Sequence, residues 1–159
     1  MQIGIISDTH DNMPMIHRVV EFLNSRQVGH VIHAGDFTSP FTFRALKHLT
    51  CNFTGVYGNN DGERVLLQKL SHQRIFTQPY ILELSGRKIV IMHEHQVVDA
   101  LADSGHFALV VYGHTHEADI RKRGNTLIVN PGELSGWLYG KSTFAIADLS
   151  TLTAELIPL

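Results

Sequence analysis

Short apolar runs bounded by polar or turn-forming residues recur along this chain, and in its first half they alternate with segments of helical period. Ile3 to Ile6 reads as a buried strand. From Met13 to Ser25 the apolar positions Ile16, Val19, Val20 and Leu23 fall on one helical face, with Pro14 in the first turn. Val31 to Ala34 is a second strand. Ser39 followed by Pro40 predicts an N-cap and the first residue of a second helix, running through Ala45, Leu46 and Leu49. Phe53 to Tyr57 is a third strand, and Val65, Leu66 and Leu70 lie on a third helix. Strands alternating with helices in this way predict parallel strands joined by crossover helices.

Beyond about residue 75 the pattern changes to hairpins. Tyr80 to Leu84 and Lys88 to Met92 flank the turn Ser85-Gly86-Arg87, and Ile120 to Arg123 and Leu127 to Asn130 flank Gly124-Asn125. Between them lie a short helix, Val97 to Ala102, and a strand, Phe107 to Tyr112. Ser142 to Asp148 and Ala154 to Leu156 complete an antiparallel pair. The expected class is α/β, with two mixed sheets packed together and helices outside. No linker or repeat divides the chain, so residues 1–159 are expected to form a single domain.

Composition narrows the chemistry. The chain has 159 residues, and a chain of this size buries ~70% of the surface its unfolded form exposes. Thirteen Lys and Arg against fifteen Asp and Glu give a net charge of −2, which argues against a strong nucleic-acid surface. No run of residues is long and apolar enough to span a bilayer, and the N-terminal residues lack the pattern of a secretory signal, so the expected compartment is the cytoplasm. Histidine stands out at eleven residues, beside one cysteine. A lone Cys51, expected as a small buried side chain in a strand, cannot build a thiolate metal cage.

The polar residues gather where the strands stop. Asp8-Thr9-His10 follows the first strand, Gly35-Asp36 the second and Gly58-Asn59-Asn60-Asp61 the third. His93-Glu94-His95 follows the strand ending at Met92, and Gly113-His114-Thr115-His116 the strand ending at Tyr112. Singly, each has an ordinary structural reading: Asp8 can cap the following helix, Asn59 can occupy a left-handed turn, and His114 or His116 can be solvated. Together they place five sets of oxygen and imidazole ligands at the carboxyl ends of strands, where α/β sheets collect ligands. Such a set without thiolate suits divalent ions such as manganese, iron or zinc.

In this order, Asp8-x-His10, Gly35-Asp36, Gly58-Asn59-x-Asp61, His93 and Gly113-His114-x-His116 resemble the motifs of the calcineurin-like metallophosphoesterases. The short chain and its Ser7-Asp8-Thr9-His10 opening are similar to the compact YfcE-type phosphodiesterases, a branch that also includes a retromer subunit. The likeness runs from Gln2 to about Leu149. It implies a four-layer α/β/β/α sandwich with two divalent ions, manganese foremost, with nickel, zinc, iron or cobalt also compatible. By position, Asp8, His10, Asp36 and His116 would hold one ion. Asp36 would bridge to a second, completed by Asn59, His93 and His114. Asp61 would stand behind the ligands and orient a neighbour. The implied reaction is attack on phosphorus by a hydroxide bridging the two ions, with a phosphodiester favoured over a monoester.

Three positions depart from the family pattern. Asn60 stands where many relatives carry a histidine able to protonate the leaving group, which leaves His95 as a candidate donor. Glu94 replaces a common glycine and Glu133 a common serine after Pro-Gly, both adding negative charge near the expected rim. Phe37, Trp137 and Tyr139 are readable as a substrate platform or as core and contact residues. The expected partner is a small phosphate ester, with no membrane. The sequence leaves room for a homo-oligomer without specifying one. A second reading from another class is a non-catalytic protein-interaction module on the same fold.

Overall fold

A computed structural model describes residues 1–159. Its first sheet contains β1 (Gln2–Ile6), β2 (His30–His33), β3 (Asn52–Val56) and β4 (Ile75–Phe76), all parallel, extended beyond β1 by antiparallel β10 (Thr143–Asp148) and β11 (Thr153–Pro158). The second sheet has the order β5 (Tyr80–Leu84), β6 (Arg87–Ile91), β7 (Leu109–Val111), β9 (Thr126–Pro131) and β8 (Ala118–Arg123). Within it β6, β7 and β9 are parallel, whereas β5 and β8 are antiparallel edges. Helices α1 (Met13–Ser25), α2 (Phe43–Leu46) and α3 (Arg64–Leu70) belong to the first half of the chain, and α4 (Val98–Asp103) to the second.

Alternation along the strands sorts the side chains into three buried layers. Ile3 and Ile5 of β1, Ile89 and Ile91 of β6, Leu109 and Val111 of β7 and Leu127 and Val129 of β9 meet between the sheets. Ile6 and Val31, on the other face of the first sheet, pack with Ile16, Val19 and Leu23 of α1. Val90, Val110 and Ile128, on the other face of the second sheet, pack with Val98 and Ala102 of α4. The result is the expected α/β/β/α sandwich. Because β1–β3 run parallel, as do β6, β7 and β9, the carboxyl ends within each set share one edge of their sheet.

Several local expectations are revised. The second helix is shorter than predicted: Ser39 caps a 3-10 turn over Pro40–Thr42, which passes into the four residues of α2 and ends before Leu49. In α3 only Leu67 is buried; Val65, Leu66 and Leu70 face outward. Four apolar residues among seven do not define one face, so packing decides. Cys51 is half-buried in a bend just before β3 rather than within it. The two-residue β4 is too short to leave a periodic signal.

Two histidines outside the predicted ligand set are core residues of the first sheet. His30 Nε2 lies 2.9 Å from Thr54 Oγ1, and burial, with Arg74 adding to it, pushes the imidazole down to about 4. His33 is wholly buried and stacked on Phe37, with burial the main cause of a pKa well below the ordinary value. A histidine kept neutral in the fold but free to protonate when unfolded favours unfolding as acid is added. The urea midpoint is therefore expected to fall as pH drops from about 6.5 toward 4, and His30→Gln should flatten that slope. A midpoint independent of pH across this window would contradict the assignment.

Candidate metal centre

The polar clusters at the strand ends converge. Asp8, His10 and His116 each bring one ligand atom into a group whose members lie within 4.8 Å of one another, and Asp8, Asp36 and His93 form a second such group. Asp8 Oδ1 is 3.4 Å from His116 Nε2 and 3.8 Å from His10 Nε2. Asp36 Oδ2 lies 3.6 Å from His10 Nε2 and 3.5 Å from His93 Nε2, between the two groups. Asn59 Oδ1 faces His93 Nε2 at 2.8 Å and His114 Nδ1 at 2.9 Å. All seven predicted ligands are thus brought together.

The backbone that presents them is strained. Asp8, His10, Asp36, His114 and His116 all have positive φ, between 39° and 70°. Asp, Asn and His tolerate this region better than most residues, and such strain collects at functional sites. The β-branched Thr38, at φ 82°, is held by its amide donating to Asp61 Oδ1 at 2.8 Å and by Oγ1 meeting His10 Nδ1 at 3.1 Å. Gly58 and Gly113 meet a different demand, close approach. A Cβ on Gly58 would strike the Asp36 side chain and lie 2.5 Å from its backbone nitrogen, and one on Gly113 would strike the Ser7 hydroxyl.

Asp61 binds the side chain of none of the predicted ligands but ties their loops together. Its carboxylate accepts the amides of Asp36, Thr38 and Gly58 at 3.1, 2.8 and 2.8 Å. Burial raises its pKa, against the pull of those amides. Asn60 uses both donors on Asp36: its backbone amide meets Oδ1 at 2.8 Å and its side-chain amide meets Oδ2 at 2.7 Å. Arg64 clamps the same turn through the carbonyls of Asp61 and Gly58 while stacking over Tyr57. Gln78 Oε1 accepts the amides of His93 and Glu94 at 2.6 and 3.0 Å. Thr38, Arg64 and Gln78 carried no recognisable signal in the sequence, because each acts through a contact between distant segments.

His95 is exposed and stacked against His114, with ring centroids 5.7 Å apart. Glu94 also stands at this outer edge, its carboxylate 3.6 Å from His114 Nε2. Phe37 is fully buried and belongs to the core. Trp137 and Tyr139 are exposed, and the Trp137 indole donates to the His10 carbonyl at 3.3 Å. Glu133 does not lie on the rim as the sequence suggested: it is 1% exposed and faces His116 Nδ1 at 2.9 Å. Burial alone would raise its pKa. The Tyr139 amide, His116, Ser135 and the Leu138 amide outweigh that and hold the carboxyl below its ordinary value.

One atom tests whether these residues fit a cation. Asp8 Oδ2 accepts from the Ser7 hydroxyl and the His114 amide, but Oδ1 is buried with no hydrogen-bond partner. Burial raises the Asp8 pKa, opposed by Ser7 and the nearby histidines. A buried carboxylate oxygen without a donor is costly, and a divalent cation between it and the His10 and His116 nitrogens removes that cost. The donor set of carboxylates, one amide oxygen and imidazoles suits such an ion.

Residues 1–152 match the model of the calcineurin-like phosphoesterase superfamily domain. A phosphodiesterase of Methanocaldococcus jannaschii is 39% identical over 154 residues, covering 93% of each chain. A solved archaeal phosphodiesterase superposes over the whole of both chains with a TM-score of 0.93 at 38% identity. The E. coli phosphoesterase Yfce shares the fold, with a TM-score of 0.75 at 20% identity over 99% of this chain and 98% of its own. No helix is long and apolar enough to cross a membrane.

Proposed function

The chain belongs to the calcineurin-like phosphoesterase superfamily, whose members act through divalent metal ions, and from that premise we propose a phosphodiesterase for small phosphate esters that works with two such ions, manganese foremost. The observation that carries this reading is the buried, unpartnered Asp8 Oδ1 facing His10 and His116. Asp8, His10, Asp36 and His116 would hold one ion, and Asp36, Asn59, His93 and His114 the other. Two divalent ions held there would supply Lewis-acid charge toward the phosphoryl oxygens and would make nearby water more acidic.

The chain's own residues supply the rest. The carboxylates of Asp8 and Asp36 would offset only part of the charge of two divalent ions, so that the loaded centre would stay net positive and attract a phosphate ester. Asp61 keeps the Asp36 and Gly58 loops in register through its three accepted amides. Asn60, whose side-chain amide is engaged on Asp36, does not serve as a proton donor. His95, exposed beside His114, delivers a proton to the leaving-group oxygen.

The test is turnover by metal-stripped protein before and after Mn²⁺ is returned, with bis-p-nitrophenyl phosphate, p-nitrophenyl phosphate and an alkyl diester. Turnover of the diesters is expected only with Mn²⁺. Mn²⁺-loaded protein inert toward every ester would overturn the enzyme reading and favour an interaction module. In the same assay His95→Gln should slow the alkyl diester about 100-fold. It should barely affect the p-nitrophenyl esters, whose leaving group departs without a proton. Equal loss on both classes would refute the donor role.

A further inference from the structure

Each histidine assigned above as a ligand has a polar group facing its other ring nitrogen. His10 Nδ1 lies 3.1 Å from Thr38 Oγ1, His93 Nδ1 2.8 Å from the Ala34 carbonyl, and His114 Nε2 3.6 Å from Glu94. His116 alone has a buried carboxylate there, Glu133 Oε2 at 2.9 Å. That carboxylate is fully engaged. Oε2 also accepts the Ser135 hydroxyl at 2.8 Å, and Oε1 accepts the amides of Leu138 and Tyr139 at 3.0 and 2.8 Å. Gly132, Gly136 and Gly140, all at positive φ, fold this segment back on itself so that one side chain reaches both the turn and the histidine.

We propose that Glu133 is a positioning residue of the metal centre. It holds the proton of His116 on Nδ1, leaves Nε2 free toward Asp8 Oδ1, and with its other oxygen ties down the rim turn that carries Trp137 and Tyr139. A carboxylate on the outer nitrogen fixes the tautomer and ring orientation of a ligating imidazole and raises its basicity. Here the same group also joins ligand to rim, since the Trp137 indole is anchored on the His10 carbonyl. Glu133 thereby sets both the geometry of one ligand and the shape of the substrate entrance. The proposal rests on the reading of His116 as a ligand.

Three measurements on Glu133→Ala and Glu133→Gln test it, each with a readout other than turnover. The first is the ¹⁵N signature of the His116 ring in metal-free protein at mildly alkaline pH. Wild type and Glu133→Gln are expected to carry the proton on Nδ1, and Glu133→Ala to shift it to Nε2. The second is calorimetric titration with Mn²⁺ alone, where Glu133→Ala is expected to bind about 100-fold and Glu133→Gln about 10-fold more weakly. The third is fluorescence anisotropy of Trp137, the only tryptophan in the chain, expected to fall in both variants as the turn loosens.

An unchanged tautomer in Glu133→Ala, or Mn²⁺ affinity within twofold of wild type in both variants, would overturn the proposal. Should Glu133→Ala fail to fold, the Glu133→Gln affinity decides it. Wild-type protein that binds no Mn²⁺ would instead overturn the ligand assignment, and the tautomer comparison would still judge the role of Glu133 toward His116.

Discussion

Asp8→Asn is expected to abolish ester hydrolysis while raising the melting temperature of the metal-free protein. In the folded chain Asp8 Oδ2 accepts two hydrogen bonds, from Ser7 and the His114 amide, whereas Oδ1 accepts none. An asparagine can place its carbonyl oxygen in the first position and its amide in the second, where His116 Nε2, 3.4 Å from Oδ1, can accept. The substitution removes a buried negative charge and satisfies an orphaned position without changing volume. A gain of about 1 kcal/mol is typical of such relief, which for a chain of this size raises the melting temperature by roughly 2–4 °C. The cost falls on function. A neutral amide donor turned toward the cation site repels the ion, and turnover should drop at least ~1,000-fold. Scanning calorimetry with and without Mn²⁺ checks the stability, and the ester assay with Mn²⁺ checks the turnover. A variant that is both less stable without metal and still stabilised by Mn²⁺ would show that Asp8 is an ordinary structural carboxylate.

Gly58→Ala is expected to remove the site by a different route, from behind. Gly58 does not have the left-handed backbone that glycine often supplies; what it provides is space. Its added methyl would meet the Asp36 carboxylate and the Asp36 backbone nitrogen, so neither side of the contact can yield cheaply. Overpacking of this kind costs about 1–3 kcal/mol, and here the displaced group is the carboxylate proposed to bridge both ions. The melting temperature should fall by roughly 3–10 °C. Mn²⁺ affinity and turnover should fall to background together, because Asp36 cannot keep its position between His10 and His93. Gly62 provides the control within the same loop. A Cβ there meets nothing within 4 Å, so Gly62→Ala should be nearly silent in both measurements. Equal effects at the two positions would mean that the loop is sensitive to any loss of glycine flexibility rather than to crowding at Asp36.

How much of this was legible beforehand depends on the range over which each feature is determined. Strand identity was readable because buried strands write themselves into consecutive apolar residues, and the polar clusters were readable because they begin where those runs stop. Asp8, Asp36, His93 and His114 are therefore legible at strand ends from the sequence alone. Asn60 and Glu133 could not be placed, since their roles depend on which way a short loop turns. One read as a lost proton donor and the other as added charge on the rim, yet the first spends its amide on Asp36 and the second is buried against His116. The same applies to α3, where four apolar residues in seven gave no unique inner face and packing selected Leu67. His33 was unreadable for the opposite reason. An imidazole inside a buried strand has no sequence mark that separates it from an imidazole serving as a ligand.

Both halves of the sandwich contribute to each proposed ion, and this has a mechanical meaning. Asp8, His10, Asp36 and Asn59 follow strands of the first sheet, whereas His93, His114 and His116 follow strands of the second. In the assignment above, neither ion is held by one sheet alone. The ions would act as rivets across the mouth of the sandwich, fastening the two sheets at the edge where the strands of both sets end. The distance between the sheets at that edge would then set the separation of the two halves of the site, so a substitution in the central apolar layer, far from any ligand, could tune the chemistry by a change of spacing alone.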